Sequence, residues 1–386
     1  MWSLVMLYFS WVLAGISAFF VLFALTNALW LFFYTKKAKI CEGFTVSVCV
    51  PARNEENNIE KCVRSLLNQT YVDYDVYVLD DNSTDRTYEI LQNLQKEYPE
   101  KLKLLKGKPL EKGWTGKIFA MHQLVSAAKG EYLLFTDADT VHNPDSISFI
   151  MTNLIAHNAD MASGFIKQKL ATFGEKITIP LMFMLTGFVL PLFLNRITNL
   201  KSTAVAIGQY IMIKRSVFEA AGGYEAIKDL VSEDVYLARL IKSYGYKTIF
   251  VNCYVAATCR MYEGFRASVN GIIKNIFSFF GNRTWIIIPV ILAIVIFFVL
   301  PFPLFIINLV MDLVAGHALS LTTYLLGINN VLFFLVWFII SLSQRLPLSV
   351  PFLYPMLFLN LAYTAALSYY RTLTGEGYNW KGRVVH

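Results

Sequence analysis

Residues 4–34 form a nearly uncharged apolar run, and this feature restricts the surroundings in which the chain can fold more than any other. About 20 apolar residues cross a bilayer as a helix, and a secretory signal core is shorter than this run. Residues 1–35 are therefore expected to remain as an N-terminal transmembrane anchor. Lys36, Lys37 and Lys39 follow at once, so the positive-inside rule puts the next segment in the cytoplasm, and a multi-pass protein of the plasma membrane is expected. Three more apolar runs, 286–311, 319–342 and 346–370, follow Arg283, the last interrupted by Pro347, Pro351 and Pro355. Each is long enough to span. Three crossings would place the basic tail, 371–386, with Arg371, Lys381 and Arg383, on the outside against the charge rule, so region 286–370 is expected to cross two or three times.

Between residues 44 and 281 the composition turns globular. The whole chain is 56% hydrophobic and 16% charged, too apolar for an ordinary soluble protein and too charged for a bundle of spans alone. Short β-rich runs at 46–50, 76–79, 102–105 and 132–135 alternate with helical patterns, which implies an α/β domain with a largely parallel sheet and helices on both faces. The first helix is expected from about residues 54–58, with Ile59, Cys62, Val63, Leu66 and Leu67 on one face. The second follows the capping cluster Ser83-Thr84-Asp85 and ends before Pro99. Residues 177–194 are again almost uncharged but hold Pro180, Gly187 and Pro191. A crossing there would split the domain between compartments, so an interfacial or re-entrant helix pair is expected. The net charge of +7 lies beside apolar segments, with no zinc spacing or aromatic-basic module, and so points to lipid headgroups and a diphosphate rather than nucleic acid. Five cysteines, at 41, 49, 62, 253 and 259, form no CxxC pair, and their odd number argues against a disulfide framework.

Acidic and glycine-rich motifs follow the strand-like runs. The first run ends in Pro51-Ala52-Arg53-Asn54-Glu55-Glu56 and the second in Asp80-Asp81-Asn82-Ser83, both at the sheet edge where ligands of such folds bind. Helix capping accounts for Ser83 or Asp85 but gives Asp80 and Asp81 no structural task, whereas a carboxylate there accepts hydrogen bonds from a base or ribose. The run 131–135 leads into Asp137-Ala138-Asp139, and alternation along an extended chain aims both carboxylates to one side, where they repel unless a cation or a proton separates them. Oxygen ligands suit Mg2+ or Mn2+. Gly113-Trp114-Thr115-Gly116-Lys117 opens a helical run suited to an anion, without the Walker spacing. Ser232-Glu233-Asp234 reads equally as a helix cap and as a general base. Arg260, Arg266 and Lys274 could neutralise a leaving diphosphate or bind headgroups.

In this order, the motifs Pro51 to Glu56, Asp80-Asp81-Asn82-Ser83, Lys117, Asp137-Ala138-Asp139, Gly222-Gly223-Tyr224 and Ser232-Glu233-Asp234 resemble the inverting family 2 glycosyltransferases of the GT-A fold, a Rossmann-like domain, over residues 44–281. The resemblance implies donor binding by Ala52, Glu55, Asp81, Lys117 and Asp137, with Arg260 near the diphosphate. It also implies metal ligation by Asp139 and base catalysis by Asp234. A nucleotide-sugar donor, most simply a UDP-sugar, is then expected, together with a divalent metal and a lipid acceptor reached from the membrane. Gly113 to Lys117, the stretch Arg260-Met261-Tyr262-Glu263-Gly264-Phe265-Arg266 and the ending Trp380-Lys381-Gly382-Arg383 are similar to bacterial lipid-modifying members such as carotenoid- and hopanoid-associated enzymes. Processive synthases carry Q/R-x-x-R-W after the base, and here Glu263 and Gly264 stand where Arg-Trp would be. Two alternatives are a polyprenyl-phosphate sugar transferase, whose acceptor needs no base, and a non-catalytic nucleotide-sugar-binding scaffold, which an intact acidic set disfavours.

Overall fold

The computed structural model of the protein describes residues 2–39, 43–230, 232–279, 283–374, 378–380 and 383–385. Its contacts divide the chain into two units. One comprises Trp30–Lys169 and Leu192–Met261, the other Met1–Leu29, Leu170–Pro191 and Tyr262–His386.

The first unit is built on strands β1 (Val46–Ala52), β2 (Tyr74–Asp80), β3 (Leu102–Lys106), β4 (Tyr132–Phe135), β5 (Thr140–His142), β6 (Met161–Ser163), β7 (Lys167–Gln168), β8 (Ile211–Lys214), β9 (Thr248–Phe250) and β10 (Ala257–Cys259). Seven of them form one sheet in the order β3-β2-β1-β4-β8-β6-β9, and β5, β10 and β7 form a small second sheet. β3, β2, β1 and β4 are parallel, as the alternation of strands and helices implies. β8 runs antiparallel to both its neighbours, β4 and β6, a reversal that no short-range pattern announces.

Alternation along β1 sends Val46, Val48, Val50 and Ala52 to one face and Cys49 to the other. The first face is covered by the helices Ile59–Leu67, Thr87–Glu97 and Ser146–Ala156, the second by Gly116–Ala127 and Glu233–Ser243. Helix Ile59–Leu67 buries the five residues its periodicity selects, Ile59, Cys62, Val63, Leu66 and Leu67. Each large apolar side chain so buried is worth about 1.5–3 kcal/mol. Because β1 sends its chain to one side and β4 to the other, the crevice between their C-terminal ends is the switch point where ligands of parallel α/β sheets bind.

In the other unit, the apolar stretch at 177–194 starts at the end of an irregular helical run that passes from Phe173–Thr178 through the 3-10 segment Ile179–Phe183 to the π-type segment Leu185–Val189. A break at Leu190 and Pro191 follows, and the short helix Leu192–Ile197 after it belongs to the first unit. Irregular backbone leaves carbonyls to satisfy, and Asn27 donates to those of Thr186 (2.7 Å) and Leu190 (2.9 Å), while Asn360 donates to that of Ile177 (2.8 Å). At Gly187 a Cβ would lie 2.3 Å from the Ile340 Cδ1, so the missing side chain allows this turn to seat against Leu321–Gln344. Among the described residues, Ser3–Tyr34, Thr284–Val314 and Leu321–Gln344 are long and apolar enough to cross a membrane. The third C-terminal run forms Tyr354–Thr374, whose buried Asn360, Thr364 and Ser368 make it more polar than those three. Tyr378–Trp380 and Arg383–Val385 pair antiparallel. Cys41, Lys381, Gly382 and the side chains of Lys274, Trp380 and Arg383 lie outside the described residues.

Candidate active site

The loops after β1 and β2 are stitched together. The backbone N–H of Asp81 donates to the Ala52 carbonyl (2.7 Å), and Arg53 donates to the carbonyls of Asp81 (2.5 Å) and Asn82 (3.2 Å). Asn54 and Asn82 adopt left-handed backbone (φ 51° and 54°), a conformation asparagine tolerates better than most residues, and the Asn54 side chain accepts from the Thr84 amide (2.8 Å). The Glu55 amide donates to Thr87 Oγ1 (2.7 Å) and its carboxylate accepts from Asn58 (2.9 Å). Asp80 does have a structural task, contrary to the sequence expectation: its carboxylate accepts from the Ser83 amide (3.3 Å). Asp81 is buried beside it at the sheet edge.

The chain leaves β4 at Phe135, so Asp137-Ala138-Asp139 lies in a turn rather than on the extended strand the alternation argument assumed. The two carboxylates consequently face different partners. Asp137 Oδ1 is 2.7 Å from Lys117 Nζ. Asp139 adjoins the buried thiol of Cys259, which burial pushes well above its ordinary range and the negative charges of Asp139, Asp137 and Glu55 push further. Burial, then Asp139, Glu55 and Asp137, raise Cys62 in the same way, and its thiol donates to the Asp137 carbonyl (3.7 Å). The charges of Glu55 and both aspartates thus act on the same two thiols, and Arg260 follows Cys259, which pairs with Thr140 in the β5–β10 register. Arg266 is exposed on Gly264–Phe279, in the other unit.

Lys117 stands in the first turn of Gly116–Ala127, behind Gly113, whose positive φ of 87° needs a residue without a side chain. Its ammonium is shared, 2.7 Å from Asp137 Oδ1 and 2.7 Å from Glu233 Oε1. Burial works against the charged form, but the two carboxylates outweigh it and hold the amine well above its usual range. Trp114 packs on Phe119 and His122, with Lys228 over its ring.

The capping account of Ser232-Glu233-Asp234 fails on geometry. Ser232 takes a left-handed conformation (φ 67°) and its side chain makes no cap hydrogen bond. Asp234 accepts instead from two amides, Gly208 N–H at Oδ2 (2.8 Å) and Val235 N–H at Oδ1 (2.8 Å). Burial and the adjacent Glu233 carboxylate raise its pKa from 3.8 to about 6, against the pull of Lys117 and the two amides. A group poised there is deprotonated at neutral pH yet still basic enough to accept a proton.

Gly208, which no motif pointed out, lies at the junction of these charges. A Cβ on it would stand 3.3 Å from Lys117 Nζ, 3.4 Å from Glu233 Oε1 and 3.5 Å from Asp234 Oδ2. The loop is anchored through Thr136, whose hydroxyl donates to the Gln209 carbonyl (2.9 Å) and contacts His142 Nε2 (2.9 Å). On the other side of the ring, His142 Nδ1 lies 2.9 Å from the Ser146 hydroxyl, which donates in turn to Tyr210 Oη (2.9 Å). Burial depresses His142 to about 3, so the ring stays neutral and this link between β4 and the 208–209 loop does not change with physiological pH. The Gly222-Gly223-Tyr224 motif is structural: both glycines have positive φ, and Tyr224 packs on Phe135 and Phe218.

Among the described residues no three His, Cys, Asp or Glu side chains form a metal cage. The available donors are hard carboxylate oxygens, with Asp137 already engaged by Lys117. That set fits Mg2+ or Mn2+ carried largely by substrate phosphates, which needs only one or two protein carboxylates.

A family model described as glycosyl transferase family 2 matches residues 47–222. The chain is 43% identical over 96 residues to the beta-monoglucosyldiacylglycerol synthase of Nostoc sp., a match covering 24% of this chain and 20% of that one. It is 32% identical over 106 residues to the GalNAc(5)-diNAcBac-PP-undecaprenol beta-1,3-glucosyltransferase of Campylobacter jejuni, covering 28% and 33%. These matches span a third or less of either relative's length. In three dimensions the chain superposes on the mannosyltransferase PcManGT from Pyrobaculum calidifontis, solved with GDP-Man and Mn2+, with a TM-score of 0.52, 18% identity and coverage of 93% and 99%. Sheet order, acidic sites at the strand ends and the family match together establish that the chain carries a glycosyl transferase family 2 domain of GT-A fold.

Proposed function

We propose that the protein is a membrane glycosyltransferase that moves a sugar from a nucleoside-diphosphate donor to a lipid acceptor with inversion at the anomeric carbon. The observation that carries this reading is Asp234, a half-buried carboxylate raised to about 6 and held by two amides a glycine's width from the Lys117–Asp137 ion pair. Asp81 and the loop bearing Ala52 and Glu55 would hold the base and ribose, and Lys117, Asp137 and Arg260 would hold the ribose and diphosphate. A divalent metal supplies charge neutralisation at the departing diphosphate when bound, and Asp139 is the residue that would hold it. Asp234 takes the proton of an acceptor hydroxyl as its oxygen attacks the anomeric carbon, and the sugar–phosphate bond breaks toward the diphosphate. The three apolar helices support a multi-pass protein in the plasma membrane, with the catalytic domain on the cytoplasmic side where Lys36, Lys37 and Lys39 lie.

Diacylglycerol and undecaprenol in the names of the two relatives support an acceptor drawn from the bilayer. Asp139→Asn and Asp234→Asn in the detergent-solubilised full chain, assayed with labelled nucleotide sugars and a lipid extract, should each abolish transfer while the protein stays folded. Full activity in either variant removes the corresponding role. Mass spectrometry of the product separates the two acceptor chemistries. Sugar on a hydroxylated lipid supports the base, and sugar on a polyprenyl phosphate favours the alternative that needs none.

A further inference from the structure

Lys117 is shared between two carboxylates that belong to different halves of the proposed reaction. Asp137 follows β4 on the donor side, and Glu233 opens the helix that carries the base. Both contacts are 2.7 Å, so the ammonium spends a proton on each, and the three groups together carry one net negative charge. Gly208 backs the arrangement, since a Cβ there would stand 3.3–3.5 Å from Lys117 Nζ, Glu233 Oε1 and Asp234 Oδ2, and the three charged groups therefore surround one point of the loop. A diphosphate arriving beside Lys117 carries more charge than Glu233 and competes with it for the same proton.

We propose that Glu233 is a positioning residue that couples donor binding to the base. In the empty site it holds Lys117, and when the donor diphosphate draws Lys117 away, its released carboxylate makes the neighbouring Asp234 hungrier for the acceptor's proton. The inference rests on the glycosyltransferase reading above. The charged and titratable groups that face Asp234 are Glu233 on its own helix, Lys117 from Gly116–Ala127 and Tyr224 from the turn Gly223–Ile227, with Asp137 reached through Lys117. Of these, Tyr224 is buried and held neutral by desolvation, and next by the Glu233 charge, so Lys117 is the mobile charge in the set. The coupling has a direct use. Before the donor binds, the base is partly neutralised by its surroundings, and it reaches full strength only when a sugar is present to be transferred.

The test uses the detergent-solubilised full chain carrying Glu233→Gln or Glu233→Asp. With the Glu233 charge removed, the acid limb of kcat should move to lower pH by about one unit, and kcat at neutral pH should fall roughly tenfold as the base weakens. Calorimetric binding of whichever of UDP or GDP inhibits transfer, in Mn2+ buffer, should tighten roughly threefold or more in E233Q, because Lys117 has lost its competitor. E233D keeps the charge and should restore the acid limb to the wild-type position. A residue that merely props up the helix would weaken nucleotide binding and leave the limb in place, and either result overturns the proposal. Failure of the base assignment itself reads differently, because D234N would then retain transfer whatever the Glu233 variants do.

Discussion

Replacing Asp234 with asparagine should separate stability from catalysis in a way that depends on pH. In the unfolded chain this carboxyl loses its proton near 3.8, and in the native protein near 6. Below pH 3.8 both states are protonated and the site costs nothing. As pH rises from about 4 to 6 the unfolded chain ionises first, so native stability falls, and above 6 the loss is complete. At roughly 1.4 kcal/mol per pH unit the full cost is about 3 kcal/mol, trimmed to about 2–3 by the side chain's partial exposure. Between pH 4.5 and 8 about 2 kcal/mol of it develops. Asparagine removes this dependence but can accept only one of the two amide bonds from Gly208 and Val235, turning its NH2 toward the other at a cost of about 1–3 kcal/mol. The variant should therefore melt close to wild type at pH 8 and below it at pH 4.5. The difference between the two Tm gaps should be roughly 4–8 °C for a domain of this size. Transfer should fall about 10²–10⁴-fold at every pH. The measurement is differential scanning fluorimetry of both proteins in one detergent across that range, beside the transfer assay. A Tm gap that does not change with pH would refute the assignment of a raised, half-buried carboxylate at this position.

Gly208→Ala should fold with a stability change of about 1 kcal/mol or less, because its Cβ would meet neighbours at 3.3–3.5 Å. Transfer should nonetheless fall at least roughly tenfold by steady-state kinetics, since the new methyl group lies among the charges that flank the base. Gly223→Ala should be costly, at about 1–3 kcal/mol with an equivalent drop in Tm, because the backbone sits at φ 55° and the Cβ would come within 2.7 Å of the Phe218 ring. Of five cysteines, Cys49, Cys62, Cys253 and Cys259 are buried, and desolvation raises each thiol, Cys49 to about 12. Maleimide at pH 8 should label at most one thiol in the native protein and all five after denaturation, as intact-mass spectrometry will count.

Much of the first unit could be read from local pattern. The positions of β1, β2, β3 and β4 and the buried face of Ile59–Leu67 follow from periods of 2 and 3.6 residues, which a chain displays wherever one face of an element is buried. The acidic motifs were legible because they terminate such strands, and in a parallel sheet strand ends converge on one edge. Asp80, Ser232 and the extended geometry assumed for Asp137 and Asp139 were read less well, since each depended on the backbone path through a turn of only a few residues.

What the sequence determined by itself, then, is the class of the chain, apolar runs long enough for a membrane around an α/β domain, and the residue types available to its chemistry. Only the tertiary structure decided how those residues divide the work. Lys117 and Glu233 are far apart in the chain and Gly208 has no motif, yet the antiparallel β8 carries the 208–209 loop back beside β4, where Thr136 and His142 fix it under Asp234. Burial, shared protons and the raised basicity of Asp234 are properties of that assembled neighbourhood. They arise from charges brought together across the fold, so no spacing along the chain encodes them directly.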